Sequence, residues 1–204
     1  MVEQRTDEWR QARSGLLTCS RFRDVLGTKA ARQKLAREVV FERLSGTPMH
    51  EVNGRSLTWG REVEDYAVAA FELETGLVCE RAGLIRHPRY PFVAGSPDRL
   101  VGRDSGVEVK CPMDESVSVQ TWLEGMPAEH VAQVQGYLWI TGRSHWWYVS
   151  YEPRAAEPYR LYIERVPRND SYIATLAGAL LTFEQEVQAM LEVIRTKAAR
   201  QGSK

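Results

Sequence analysis

Asp98, Glu108 and Lys110 lie in one short stretch, AGSPDRLVGRDSGVEVKCP at 94–112. Two carboxylates and an ammonium are the groups that hold a divalent cation and meet negative charge growing on phosphorus. Successive side chains of a β-strand point to opposite faces, so Val107, Val109 and Cys111 share one side while Glu108 and Lys110 share the other. Carboxylates on neighbouring strands suit a hard ion such as Mg²⁺, which takes oxygen ligands and keeps several waters. The backbone carbonyl of Val109 offers a third oxygen, and Lys110 stands where it could orient a water for in-line attack. The same spacing also describes a surface salt bridge, so its surroundings decide.

Those surroundings are further polar groups on apolar elements. In WGREVEDYAVAAFELETG the residues Val63, Tyr66, Ala67, Ala70 and Phe71 recur at helical spacing, Gly76 closes the segment, and Glu64 sits at the stripe's edge. Pro127 opens a second helix, PAEHVAQVQGYLWITG, whose stripe is Val131, Val134 and Leu138 with Gln135 beside it and Gln133 facing elsewhere. An unpaired buried polar group costs about 1–3 kcal/mol, so several bordering one core imply a shared partner, each other or a metal.

The remaining elements follow from local signals. Thr6 caps a short helix ended by Gly15, Thr18 or Ser20 caps another that stops at Gly27, and a longer helix covers 30–44 with Leu35, Val39 and Leu44 inward. Residues 77–111 read as short strands separated by Pro, Gly, Asp and Arg. HWWYVSY and YRLYIERV add two more, and a helix fills 170–198 before a frayed basic tail. This order predicts an α/β (α+β) domain spanning 1–204, built on a single mixed sheet flanked by helices. Trp146 and Trp147 read as core and sheet-surface residues rather than base-stacking platforms.

Composition narrows the class. With 27 Lys and Arg against 27 Asp and Glu the net charge is zero, yet RFRDVLGTKAARQKLAR at 21–37 concentrates Arg21, Arg23, Lys29, Arg32, Lys34 and Arg37 against Asp24. Such a stripe suits phosphates beside an acidic metal pocket, and equally suits a solvated helix face. Cys19, Cys79 and Cys111 are too few and too scattered for a disulfide framework or a cluster. No apolar run of membrane-spanning length and no signal sequence stands out, which predicts a cytoplasmic protein with no membrane partner.

WRQARSGLLTCS, WGREVEDYAVAAFE, AGSPDRLVG, GVEVKCP and HVAQVQGYLWITGRSHWWYVSY, in this order, resemble the lambda exonuclease or YqaJ-type viral recombinase family of the PD-(D/E)xK nuclease superfamily. The resemblance runs from Trp9 to about residue 190. It implies a restriction-endonuclease-like core and a Mg²⁺-dependent 5′-to-3′ exodeoxyribonuclease, with Mn²⁺ as a substitute, acting on duplex DNA ends to leave 3′ single strands for recombination. Asp98 and Glu108 would be metal ligands, Glu64 would complete the acidic set, Lys110 would be the catalytic lysine, and Gln135 would position the attacking group. Arg13, Ser20 and Ser96 would clasp the terminal 5′-phosphate. A homotrimer and a single-strand annealing protein are the partners implied. Arg99 stands where the family often has Gly, and could add a phosphate contact; Trp139 replaces a common Tyr. A nuclease of other polarity or endonucleolytic habit is the alternative among enzymes, and an inactive DNA-end-binding module the alternative outside them.

Overall fold

The computed structural model describes residues 4–48 and 55–202. Its strands are β1 (Leu17–Thr18), β2 (Cys79–Arg81), β3 (Ile85–Arg86), β4 (Val93–Gly95), β5 (Arg99–Val101), β6 (Ser105–Lys110), β7 (His145–Tyr151) and β8 (Leu161–Pro167). They form two sheets where one was expected: a mixed sheet in the order β2-β5-β6-β7-β8, with only β6 and β7 parallel, and a small sheet β1-β4-β3. The break falls at Ser96–Pro97–Asp98, between β4 and β5. Pro97 has no N–H to give a ladder, so the chain leaves one sheet there and enters the other. Asp98 is thereby delivered to the seam.

The helices are α1 (Asp7–Arg13), α2 (Phe22–Leu26), α3 (Lys29–Ser45), α4 (Arg55–Thr75), α5 (Glu115–Glu124), α6 (Val131–Thr141) and α7 (Asp170–Gly202). Thr6 caps α1 by accepting from the Trp9 N–H at 3.1 Å, as its position predicts. Helix α5 is not foreseen in the sequence: Asp114 caps it through Ser116, but Ser, Val and Thr carry a weak helical signal. Helix α7 continues through the tail expected to fray. Leu44 and Tyr66, expected inward, are 46% and 69% exposed, because the buried stripes run through Leu35, Ala36, Val39 and Val40 on α3 and Val63, Ala67, Val68 and Phe71 on α4.

The main sheet is covered on both faces. Ala67, Val68 and Phe71 of α4 pack on Val101, Val107, Val109 and Val149. Helices α2, α3, α6 and α7 pack on the other face, where Trp146, Tyr148, Leu138 and Phe183 share one core. A strand paired in parallel and covered on both sides buries both of its side-chain rows, so the Glu108 row of β6 is interior although it is charged. Helix α6 is buried almost all round, and at Gly136 a Cβ would meet the Phe22 ring at 2.6 Å. Only glycine lets α6 approach this closely.

Three of the six cations of the basic stripe make close ion pairs: Arg21 pairs with Glu38 (3.0 Å) and Glu42 (3.1 Å), Arg23 with Glu129 (3.1 Å), and Arg32 with Glu186 (2.9 Å). For these three arginines the solvated-face alternative fits better than a phosphate track. Among the described residues no helix is long and apolar enough to cross a membrane.

Candidate active site

The end of β5, the end of β6 and the face of α4 border a cleft of about 360 Å³, with Arg5, Arg10 and Arg61 around its rim and Asp98, Glu64 and Lys110 in its wall. Asp98 continues the line of β5, and its Oδ2 accepts from the Val109 N–H at 2.8 Å. The N–H and C=O of a strand residue point to the same edge, so this bond turns the Val109 carbonyl toward Asp98 as well. Glu108 is 2% exposed; its Oε1 accepts from Lys110 at 2.5 Å and from Gln133 at 2.7 Å, while its Oε2 is buried with no hydrogen-bond partner. A buried carboxylate oxygen without a partner is costly unless a cation completes it.

The electrostatics point the same way. Burial, then Glu108 and Glu64, hold the Asp98 carboxyl well above the usual carboxylate range despite Lys110 and the Val109 N–H. Burial pulls the Lys110 ammonium down, but Glu108 and Asp98 outweigh it and raise its pKa above the ordinary value. Nearby, burial, Lys110 and Arg23 lower His130 to about 4, so this imidazole, stacked on Tyr148, is neutral at physiological pH.

Glu64 reaches the cleft beside Asp98, where its Oε1 accepts from Arg99 at 3.1 Å and its Oε2 from Arg5. Arg99 shares its strand face with Val101 and therefore meets α4, where it also binds Asp65 at 2.6 Å. It is buried, so the phosphate contact considered for it is corrected. Among the described residues no three His, Cys, Asp or Glu side chains form a ready-made cage. Asp98, Glu108 and the Val109 carbonyl nevertheless fit an ion such as Mg²⁺, which needs only one or two carboxylates beside its waters.

The expected glutamine is corrected as well. Gln135 donates to the Pro167 carbonyl (2.9 Å) and accepts from the Asn169 N–H (2.9 Å), fastening α6 to the start of α7 away from the acids. Gln133 is the one that touches Glu108. A buried helix has no apolar stripe from which to read its faces, and the usable signal was Tyr137, one turn on from Gln133 and on the same side.

Arg13 and Ser20 come together as expected, with the Arg13 guanidinium 3.3 Å from Thr18 Oγ1 and 3.5 Å from Ser20 Oγ. It stacks 4.1 Å over the Trp9 ring, and Trp9 donates to Ser96 Oγ at 2.9 Å, so Ser96 joins this group through the indole. Thr18 and Trp9 were not foreseen in it. Burial lowers the Arg13 pKa from its ordinary value, and no acidic side chain of the described residues forms an ion pair with it. A half-desolvated guanidinium among hydroxyls is a site for an anion. The larger groove between α3 and α7, about 540 Å³, is lined by Phe41, Leu44, Val193 and Ile194 and offers no such chemistry.

Comparison with known proteins bears on the family and the fold. The model of the YqaJ-like viral recombinase domain matches residues 8–144. An alkaline exonuclease (LHK-Exo) from Laribacter hongkongensis superposes with a TM-score of 0.91 at 35% identity, covering 96% of this chain and 100% of that one. The same enzyme in complex with dAMP gives 0.91 at 34% identity over the same shares. A phage related exonuclease from Haemophilus somnus 129PT shares the fold at a TM-score of 0.71 and 15% identity, over 88% of this chain and 96% of that one. A search of curated proteins found no match.

Proposed function

The chain belongs to the YqaJ-like viral recombinase family, and from that premise we propose that it is a Mg²⁺-dependent exodeoxyribonuclease that shortens duplex DNA from a 5′-phosphorylated end. The observation that carries this reading is the buried, partnerless Oε2 of Glu108 beside Asp98 and Lys110. Asp98, Glu108 and the Val109 carbonyl would hold the cation, whose chemistry is to neutralise phosphate charge and acidify a water. Mn²⁺ would serve in its place.

The residues of the chain then divide the work. Gln133 holds an attacking water by its amide, and the Lys110 ammonium meets charge that develops on the phosphoryl oxygens. Water oxygen bonds to phosphorus, the bond from phosphorus to the 3′-oxygen breaks, and the departing 3′-oxygen takes up a proton. The phosphate stays on the shortened strand. Each cut therefore renews the 5′-phosphate that Arg13, Ser20 and Ser96 would clasp, and the released unit is a 5′-mononucleotide. That the Laribacter hongkongensis enzyme was crystallised with dAMP supports a site of mononucleotide size. The product, a 3′ single strand, is a substrate for recombination.

Linear duplex carrying one 5′-phosphate, labelled on each strand in turn, tests the proposal with and without Mg²⁺. Stepwise loss of the phosphorylated strand as mononucleotides, abolished by EDTA, is expected. Loss of the opposite strand first, internal cuts, or metal-independent cleavage would overturn it.

A further inference from the structure

The two halves of the site meet at one buried hydroxyl. Tyr137 lies on α6 one turn beyond Gln133, its ring stacked on Trp146 at 5.2 Å and pressed on β4, where a Cβ on Gly95 would stand 2.9 Å from it. Its hydroxyl donates to the Ser96 carbonyl at 3.3 Å and accepts from the Gln133 amide at 2.9 Å. A carbonyl can only accept, and a phenol has one hydrogen, so the direction of both bonds is fixed. Gln133 must present its NH₂ to Tyr137, and the other amide hydrogen goes to Glu108 Oε1. The amide oxygen is then the group left to receive a hydrogen bond from water.

From Ser96 the chain of contacts continues through Trp9 to Arg13, so Tyr137 joins Glu108 and Gln133 on the main sheet to the anion site beside the small sheet. We propose that Tyr137 is a positioning residue: it sets the orientation of Gln133 and couples occupation of the Arg13 site to the reacting centre, so that a 5′-phosphate speeds cleavage and does not merely improve binding. The inference rests on the nuclease reading above.

Tyr137→Phe keeps the ring and its stacking and removes both bonds. Steady-state kinetics of the full chain, its Tyr137→Phe and Gln133→Ala variants and the double variant, on duplexes with 5′-phosphate and 5′-hydroxyl ends, test it. For Tyr137→Phe, kcat on the phosphorylated end falls about ten- to a hundredfold with KM little changed, as misplacement of a catalytic group produces. The ratio of phosphate to hydroxyl rates falls with it. In the Gln133→Ala background the same change adds less than about twofold, since the two act as a unit. Wild-type kcat and end preference in Tyr137→Phe, or fully additive losses, would overturn the inference. Should Tyr137→Phe fail to fold, Gln133→Ala decides alone: a reduced end preference supports the coupling and an unchanged one overturns it. A wild-type chain inactive on every end would overturn the nuclease reading itself, whereas an active one with an unaffected Tyr137→Phe removes only the role given to Tyr137.

Discussion

The stripe on α2 and α3 and the cleft at the ends of β5 and β6 are both crowded with charge, and they resolve it differently. On the stripe, Arg21, Arg23 and Arg32 each reach an acid at 2.9 to 3.1 Å, two of those acids far away in sequence. At the cleft, burial together with Glu108 and Glu64 holds the Asp98 carboxyl well above the usual carboxylate range, and the buried Glu108 beside it keeps an oxygen with no partner. Three arginines of the stripe are matched by acids, whereas the cleft retains one buried carboxylate oxygen without a partner. Charge density does not distinguish the two regions; compensation does. Uncompensated charge is unfavourable in the folded protein and persists where a ligand supplies what is missing.

The strongest way to break this contrast is to remove the excess. Asp98→Asn keeps an oxygen for the Val109 N–H but takes away a carboxylate. Cleavage should fall at least about a hundredfold, the scale of losing one preorganised electrostatic contact. Stability should move the other way. A carboxyl whose pKa is raised on folding holds its proton more tightly in the native state, so it favours folding below its unfolded pKa. That advantage is lost as pH rises through the folded value. In EDTA at neutral pH the variant should therefore melt about 3 °C above wild type, with the gap closing toward acid and the increment given by Mg²⁺ abolished. A lower Tm in EDTA would show that the acids are already compensated.

Arg13 is the converse case, a cation in the site with hydroxyls and an indole for company. Arg13→Ala should reduce the preference for 5′-phosphate over 5′-hydroxyl ends about tenfold to a hundredfold, the worth of charge-assisted hydrogen bonds. Cleavage of hydroxyl ends should barely change, as competition between the two ends in one reaction would reveal. Equal loss on both ends would mean that Arg13 does not read the phosphate.

What could be read in advance follows the range of the interactions. Asp98, Glu108 and Lys110 were legible because strand alternation and a proline are local signals. Arg13 and Ser20 came from the family resemblance, carried by the short segment WRQARSGLLTCS. Gln133 was missed for Gln135 because α6 is buried on nearly every side, which removes the apolar stripe used to orient it. Glu64 was found, but not that Arg5 and Arg99 hold both its oxygens, since each contact spans more than thirty residues. The second sheet was hidden because β1 has two residues and pairs with a strand far along the chain. The stripe left two readings open for the same reason: Glu129 and Glu186 meet Arg23 and Arg32 from far along the chain.

The stripe also offers the gentlest probe. Arg32 makes two hydrogen bonds to Glu186 (2.9 and 3.1 Å) and one to the Val25 carbonyl (2.9 Å), and its guanidinium lies 5.2 Å from the centre of the Phe183 ring. It ties α2, α3 and α7 together. A partly exposed pair of this kind contributes up to about 1 kcal/mol, so Arg32→Ala should lower Tm by about 2–4 °C. If the stripe is a structural clasp, nuclease rate is unchanged and the slope of log Kd for DNA against log salt is that of wild type. Were Arg32 instead a phosphate contact, the slope would fall by about 0.9, the counterion release of one lost charge pair. A change of that size with no change in Tm would turn the stripe back into a DNA track, and would place compensated and uncompensated charge on the same footing.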